Sequence, residues 1–166
     1  MKKLLVFSII VLIFISGCGL TNTIRTDSKV NVYFCPEDNC KEHVMEVINS
    51  ANSSVLFMTY SFTDNDIGDL LIKKYQEGVK VKGIFERSQE SKYSEYNKLK
   101  NNKIDVKFDK NEYYMHNKIF VIDEKIVITG SYNPTRNGDE NNNENLVIIY
   151  DEKIAKQYVD EFNKLF

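Results

Sequence analysis

Residues 116–133 read HNKIFVIDEKIVITGSYN, and this stretch carries more information about the fold than any other part of the chain. Two short apolar runs, at 119–122 and 126–128, flank the pair Asp123-Glu124. Apolar runs on either side of a short polar turn are typical of a β-hairpin. The sequence therefore predicts two antiparallel strands that turn at Asp123-Glu124.

Polar side chains stand at the open end of this hairpin. His116 and Lys118 are two residues apart, so on an extended chain they project to the same side. Ser131 and Asn133 have the same spacing on the returning strand. A cation, an imidazole and two uncharged polar groups can thus converge on one small anion, held by a buried strand. This arrangement is typical of a site that handles phosphate.

The rest of the chain alternates between apolar β-rich runs and amphipathic segments. Further strands are predicted at 29–34, 54–60, 80–85, 105–108 and 145–150. Helices are predicted from Asp38 or Asn39 to about 51, from 63 or 64 to 78, over 91–101 and over 153–166. This order predicts an α/β fold of one domain, with a mixed, mostly parallel sheet and helices on both faces.

Length and composition support one compact domain. The chain has 166 residues, of which 42% are hydrophobic, with 2 prolines and 7 glycines, so a sizeable core can form. These proportions exclude collagen-like and proline-rich filaments. The formal net charge of −2 argues against a strongly basic nucleic-acid-binding protein.

The pattern in 116–133 resembles the HKD motif of the phospholipase D superfamily, His-x-Lys-x4-Asp-x6-Gly-Ser-x-Asn, and matches it at every fixed position. The superfamily resemblance extends to four other segments, so that it covers roughly residues 30–166. These segments are Phe34-Cys35-Pro36-Glu37, Thr59-Tyr60-Ser61-Phe62-Thr63, Gly78-Val79-Lys80-Val81-Lys82 and Glu144-Asn145-Leu146-Val147.

The resemblance implies a two-step hydrolysis of a phosphodiester. His116 is then the nucleophile that forms a covalent phosphohistidine. Lys118, Ser131 and Asn133 hold the non-bridging phosphate oxygens. Glu144 matches the acidic residue that hydrogen-bonds the other ring nitrogen of the nucleophile.

Two further motif positions are assigned structural roles. Asp123 lies at the hairpin turn, where its carboxylate is expected to pair with or cap nearby backbone. Gly130 is the fixed glycine before Ser131. The aromatic pair Tyr113-Tyr114, just before His116, can either line the cleft or pack beneath it.

One motif supplies only one catalytic imidazole. A second histidine is required to protonate the leaving group, and the other histidine, His43, lacks a lysine two residues on. The resemblance therefore implies a homodimer whose twofold axis passes through the active site, with His116 opposite its own copy. The superfamily works without a metal, so we predict neither a metal site nor a cofactor.

The first residues are read as an export signal. Lys2 and Lys3 precede an apolar run over 4–15, which is too short to span a bilayer comfortably. Ile15-Ser16-Gly17-Cys18 resembles a bacterial lipobox, which implies a signal over 1–17, lipidation of Cys18, a tether over 18–28 and a catalytic domain over 29–166. The protein is then exported and anchored to the membrane; an uncleaved anchor, or cleavage elsewhere, is the alternative. Removal of 1–17 leaves a formal charge of −4.

Cys35 and Cys40 lie five residues apart in Cys-Pro-Glu-Asp-Asn-Cys. In an oxidising compartment a close pair of this kind forms a disulfide, which is the preferred interpretation. A zinc site that includes His43 and a pair of free thiols are the alternatives, although a closed zinc site needs four ligands.

The sequence leaves the substrate open. Small single-motif members of the superfamily include bacterial endonucleases, yet the acidic charge and the lipid anchor favour phospholipid. The leading prediction is a phospholipase D-like phosphodiesterase, the second is a metal-independent endonuclease, and the third is an inactive binding module. The intact motif argues against the last.

Overall fold

A computed structural model describes residues 29–166, which form seven strands and five helices. The strands are β1 (Lys29–Cys35), β2 (Ser54–Thr59), β3 (Lys80–Phe85), β4 (Asp105–Phe108), β5 (Lys118–Ile122), β6 (Ile126–Gly130) and β7 (Glu144–Tyr150). The helices are α1 (Cys40–Asn49), α2 (Asn65–Gln76), α3 (Tyr96–Asn101), α4 (Arg136–Glu140) and α5 (Glu152–Leu165). The predicted signal over 1–17, the tether over 18–28 and Cys18 lie outside the described residues.

All seven strands join one mixed sheet in the order β1-β7-β6-β5-β2-β3-β4. Only the β2–β3 and β3–β4 pairs are parallel; the other four pairs are antiparallel. The α/β class with a mixed sheet is therefore confirmed, but the prediction of a mostly parallel sheet is wrong. The physical reason lies in the position of β1. Although α1 connects β1 to β2, these two strands do not pair; β1 is instead the outermost strand and pairs antiparallel with β7.

Helices cover both faces of the sheet. Apolar side chains of α1, α2 and α3 pack on one face, around Phe57 of β2. The other face carries α5, which buries Ala155, Val159 and Phe162 against β2, β3, β5 and β6. Because β2 is covered on both sides, all six of its residues are buried. This explains its continuous apolar sequence.

Local chemistry sets where the helices begin. The side chain of Asp64 accepts hydrogen bonds from the backbone N–H groups of Asp66 and Ile67, which caps α2. The predicted cap of α1 is different in the structure. Asn39 takes the cap position in the left-handed region (φ 52°) without a side-chain cap bond, and Asp38 instead accepts from the backbone N–H of Phe34.

One other local prediction needs correction. The segment predicted as a helix over 91–101 is helical only from Tyr96, after a short 3-10 turn at Arg87–Gln89. The asparagine-rich stretch over 137–145 contains most of α4 and the start of β7, and Thr135 caps α4 by accepting from the N–H of Gly138.

The turn between β1 and α1 holds Cys35 and Cys40 together in a disulfide, with their Cα atoms 5.6 Å apart. Both cysteines are buried in the core cluster on the α1 face. His43 stacks on the ring of Tyr33, with the centroids 3.7 Å apart. Within residues 29–166 no helix has the length and apolarity that crossing a membrane requires.

Candidate active site

The motif residues gather at one edge of the sheet, the edge formed by strand ends and not by an outer strand. The chain enters β5 at Lys118, leaves β6 at Gly130 and enters β7 at Glu144, and these three strands are neighbours. The antiparallel order places the start of β5, the end of β6 and the start of β7 at the same edge. The ends of β1, β2, β3 and β4 lie at this edge too, since β1 pairs Cys35 with Glu144 and β2 pairs Thr59 with Lys118.

His116 is exposed and its imidazole contacts the neighbouring lysine. The Nζ of Lys118 lies 3.1 Å from Nδ1 of His116 and donates to the carbonyl oxygen of His116 at 2.9 Å. Desolvation lowers the pKa of Lys118, and the negative charge of Glu144 partly offsets this effect. The imidazole is therefore open to solvent, with a cation beside one ring nitrogen.

Tyr60, at the end of β2, forms an aromatic wall beside both groups. Its ring centroid lies 4.4 Å from that of His116, and the Nζ of Lys118 lies 4.9 Å from the same ring. Its hydroxyl accepts from the side-chain amide of Gln89 at 3.1 Å. Tyr60 was not assigned a role from the sequence, because its closeness to His116 follows only from the pairing of β2 with β5.

A network of polar groups joins the ends of β6 and β7. The hydroxyl of Ser131 donates a hydrogen bond to the carboxylate of Glu144. The same hydroxyl accepts from the backbone N–H of Asn145 at 3.0 Å and from its side-chain amide at 3.2 Å. The second oxygen of Glu144 accepts from the amide of Asn142 at 3.0 Å. Ser131 is thus held in place from three directions.

Gly130 allows this network to form. Its φ of +142° is a conformation that side-chain-bearing residues rarely adopt, and a Cβ there would collide with the carbonyl oxygen of Asn145. That carbonyl accepts from the N–H groups of Ser131 and Tyr132. The fixed glycine of the motif is therefore required by close backbone approach.

Asn133 faces the end of β2. Its Oδ1 accepts from the backbone N–H of Ser61 at 3.2 Å, which orients the amide. The amide nitrogen makes no hydrogen bond within the described part of the chain. Asn133 thus keeps a donor for another acceptor.

Asp123 lies at the opposite edge of the sheet, away from the imidazole. Its carboxylate accepts from the backbone N–H groups of Asn52, Ser53 and Ser54 and from the hydroxyl of Ser53. Burial opposes its ionisation, but these donors outweigh burial and hold the pKa of Asp123 below its ordinary value. Asp123 ties the β5–β6 hairpin to the start of β2.

The structure does not bring Glu144 to the imidazole. The predicted hydrogen bond between this carboxylate and the second ring nitrogen is not formed, because Glu144 is engaged by Ser131 and Asn142. The position beside Nδ1 of His116 is taken by Lys118 instead. In this structure the negative charge of Glu144 acts on Lys118, which in turn contacts His116.

A hollow of about 600 Å³ adjoins the imidazole on the side of α5. Its wall combines apolar and charged side chains, among them Tyr114, Met115, Lys164, Leu165 and Phe166. Tyr113 and Tyr114 are exposed, 82% and 62% respectively, so the pair does not pack beneath the cleft. Tyr114 instead contacts Tyr60 edge to face, with the centroids 6.1 Å apart.

Glu86 fixes the segment that leads to His116. It is buried and accepts from the backbone N–H of Met115 at 2.7 Å and of Ser88 at 2.8 Å. Although burial opposes ionisation, these donors hold the pKa of Glu86 below its ordinary value. The sequence offered no signal for this role beyond an acidic residue directly after an apolar strand.

The other candidate groups lie apart from this site. His43 stacks on Tyr33 and approaches Glu46 at 4.0 Å, so it does not join His116 within one chain. Among residues 29–166 no group of three or more His, Cys, Asp or Glu side chains has an arrangement that could hold a metal ion.

Comparison with known proteins agrees with this geometry. The family model "Cardiolipin synthase, PLD-like domain" matches residues 44–166. A phospholipase D of Rickettsia conorii is 38% identical over 136 residues, which are 81% of this chain and 68% of the relative. A mitochondrial cardiolipin hydrolase of Chlamydomonas reinhardtii is 29% identical over 74% of this chain and 55% of its own length.

Solved structures show the same fold. Nuc from Salmonella typhimurium, a phospholipase D family member, superposes with a TM-score of 0.78 at 29% identity, covering 84% of this chain and 94% of Nuc. NucT from Helicobacter pylori gives a TM-score of 0.76 at 27% identity, covering 84% and 96% of the two chains. The family match, these relatives and the intact motif at the sheet edge show that the chain belongs to the phospholipase D superfamily of phosphodiester hydrolases.

Proposed function

We propose that this protein is a phospholipase D-like phosphodiesterase that cleaves a phospholipid through a covalent phosphohistidine at His116. The observation that carries the proposal is the solvent-exposed imidazole with the Nζ of Lys118 3.1 Å from its Nδ1, at the start of a buried strand. The amide of Asn133 keeps a donor for a phosphate oxygen, and the hydroxyl of Ser131 would turn from Glu144 to donate to another.

The reaction proceeds in two displacements. For the first displacement Lys118 turns from Nδ1 of His116 to the phosphate, so that Nδ1 carries the ring proton. The lone pair of Nε2 then attacks phosphorus, and the bond from phosphorus to the alcohol oxygen breaks. A second imidazole gives its proton to the departing oxygen, then takes a proton from water as that water attacks the phosphohistidine. The second step releases the phosphomonoester and restores both imidazoles. Lys118 balances the negative charge that develops on the phosphate oxygens, and no metal is required.

A second copy of the chain supplies the second imidazole in this proposal. Within one chain His43 is engaged elsewhere, so the partner's motif is the natural source. A strip of exposed apolar side chains, Val30, Val32 and Phe34, follows the edge strand β1 on the sheet face that carries α5. Phe34 pairs across β1–β7 with Asn145, which contacts Ser131. The strip thus ends beside the site and suits a symmetric contact.

Phospholipid is the substrate class that we favour. The most identical relative quoted above, at 38%, is named phospholipase D, and another, at 29%, is named mitochondrial cardiolipin hydrolase. The acidic chain weakens the electrostatic attraction on which non-specific nucleases rely. We also propose that the protein is exported and held at the membrane by a lipid on Cys18, which places the enzyme beside this substrate.

A metal-independent endonuclease of the same superfamily is the second candidate. It is favoured by the match to Nuc and NucT, of which this chain spans 94% and 96%. An inactive binding module is the third and weakest candidate, because the motif is complete.

One set of assays separates these candidates. Residues 19–166 are incubated in a chelator with phosphatidylcholine vesicles, cardiolipin vesicles, plasmid DNA and a soluble bis-aryl phosphodiester. We expect hydrolysis of the soluble diester and of at least one lipid. Cleavage of plasmid alone would support the endonuclease, and turnover of none by a dimeric protein would support the binding module.

The nucleophile is tested by His116→Ala, with His43→Ala as the matched control. We expect His116→Ala to lower turnover by at least about 10³-fold, since removal of a nucleophile abolishes the covalent step. His43→Ala should retain activity. Circular dichroism must show the same fold for both variants, and substantial activity of folded His116→Ala would overturn the mechanism.

A further inference from the structure

The most exposed tyrosines of the described chain all lie at the sheet edge that carries the active site. Tyr93, Tyr113 and Tyr114 are 68%, 82% and 62% exposed. Tyr93 lies between the end of β3 and the start of α3, and the other two lie between β4 and β5. We call these three side chains the tyrosine rim. At the opposite edge Tyr75, near the end of α2, is only 36% exposed.

Hydrogen bonds within and around residues 109–115 hold Tyr113 and Tyr114 of the tyrosine rim in place. Asp109 accepts from the N–H of Asn111, and the side chain of Asn111 accepts from the N–H of Tyr113. Glu86 fixes the N–H of Met115, whose side chain is buried. The backbone is therefore fixed by hydrogen bonds on both sides of Tyr113 and Tyr114. Both rings stay exposed although the next residue, Met115, is buried.

The chemistry of the rim fits the headgroup region of a bilayer. A tyrosine ring is apolar and its hydroxyl is polar, so tyrosines are enriched where hydrocarbon meets water. The hollow beside His116 begins at Tyr114 and continues along Met115, Leu165 and Phe166, which offers apolar surface to the part of a lipid near the phosphate.

The charges around the rim fit a bilayer better than a nucleic-acid strand. Single-stranded nucleic acid needs a basic track beside its stacking rings. Here Lys110 is followed by Glu112, and Lys164 is paired with Glu161 at 2.9 Å, so positive and negative charges alternate. Lys92 lies over the ring of Tyr93 and places one positive charge beside the tyrosine rim.

We infer that the tyrosine rim docks the active-site edge on a phospholipid bilayer at the level of the headgroups, so that His116 meets a lipid phosphate. This inference rests on the proposed phospholipase activity and adds the surface through which the substrate is reached. Aromatic insertion contributes more to this docking than charge does.

The test uses Tyr113→Ser and the double variant Tyr93→Ser/Tyr113→Ser, with Tyr75→Ser as the matched control. Residues 19–166 are used because they lack a lipid on the chain and contain the whole described domain. Cosedimentation with cardiolipin–phosphatidylcholine vesicles is measured on the His116→Ala background, so that hydrolysis does not alter the vesicles. We expect the double variant to bind about tenfold more weakly, from the loss of two partly inserted rings.

Activity provides the second measurement. On the active background, the double variant should lose vesicle hydrolysis about tenfold while hydrolysis of the soluble diester changes by less than about twofold. Raising the salt from 50 to 300 mM should change vesicle binding only slightly, in contrast to the steep salt dependence of nucleic-acid binding. Tyr75→Ser should match the parent in every assay.

Several outcomes would overturn the inference. Unchanged vesicle binding by the double variant would do so, as would loss of single-stranded DNA binding in place of vesicle binding. Conversion of the double variant to monomers would show that the rim is a subunit contact. If the parent protein fails to hydrolyse even the soluble diester, the proposed function fails, whereas vesicle binding on the His116→Ala background still reports on the rim.

Discussion

The ring of Tyr60 lies 4.4 Å from the imidazole of His116, and the same ring faces the Nζ of Lys118 at 4.9 Å. The β2–β5 pairing creates this contact, because Thr59 is opposite Lys118 in the register. The aromatic ring therefore contacts both groups on which the proposed chemistry depends. An aromatic face also favours the charged form of a nearby ammonium group.

We predict that Tyr60→Leu lowers kcat/KM on the soluble diester by about fivefold, since a cation–π contact and a packing surface are lost. Tyr60→Phe should remain close to the parent, because within residues 29–166 the hydroxyl hydrogen-bonds only to Gln89. Steady-state kinetics of both variants check this prediction. Equal losses in Leu and Phe would show that the hydroxyl, not the ring, matters.

Glu144 should set the alkaline limit of activity. Desolvation lowers the pKa of Lys118, and the charge of Glu144 partly raises it again. The ammonium form must bind phosphate oxygens, so activity is present below this pKa and is lost as the pH rises through it. In Glu144→Gln the pKa of Lys118 falls further, and the alkaline limb of kcat/KM should move to lower pH. Glu112→Gln is the control, and a shift to higher pH would contradict the prediction.

Much of this site was readable from the sequence because the motif lies on consecutive strands. The hairpin spacing brings His116, Lys118, Ser131 and Asn133 to one edge through local geometry alone. Tyr60 and Glu86 were missed because they reach the imidazole and its approach segment by pairings between distant parts of the chain. Periodicity reports which face of a strand is buried, but it does not report which strand is its neighbour.

The order of the strands in the sheet shows the same limit of prediction from sequence. Each strand was recognised from its own apolar run, yet the order β1-β7-β6-β5-β2-β3-β4 depends on where β1 finds a partner. A β-α-β sequence favours parallel neighbours, and β1 does run in the direction of β2. Three strands lie between them, however, so β1 pairs antiparallel with β7. The share of parallel pairing was therefore overestimated.

Asp123 should contribute to stability and not to chemistry. Its carboxylate accepts from three backbone N–H groups, so Asp123→Asn should lower the free energy of unfolding at pH 7 by about 1–3 kcal/mol. The lowered pKa means that this stabilisation is present above the ordinary value of 3.8 and is lost as the pH falls through the lower folded-state pKa. Urea unfolding at several pH values checks this, with Glu124→Gln as the control.

The difference between parent and Asp123→Asn should thus narrow in acid. At 25 °C the folded variant should keep the turnover of the parent, because Asp123 lies at the far edge of the sheet from His116. A large loss of turnover in fully folded Asp123→Asn would assign this carboxylate a part in catalysis.

Phe34 provides the test of the shared site. It is 60% exposed, so Phe34→Asp should leave the stability of one chain nearly unchanged while placing a charge in the proposed subunit contact. We expect monomers in sedimentation velocity and loss of turnover, since each monomer then holds one catalytic imidazole. Tyr75→Asp at the opposite edge is the control and should remain dimeric. A mixture of His116→Ala and Lys118→Ala chains should stay inactive, because both motifs are defective in every shared cleft of the mixture. A monomeric Phe34→Asp enzyme with full activity would show that one chain completes the site by itself.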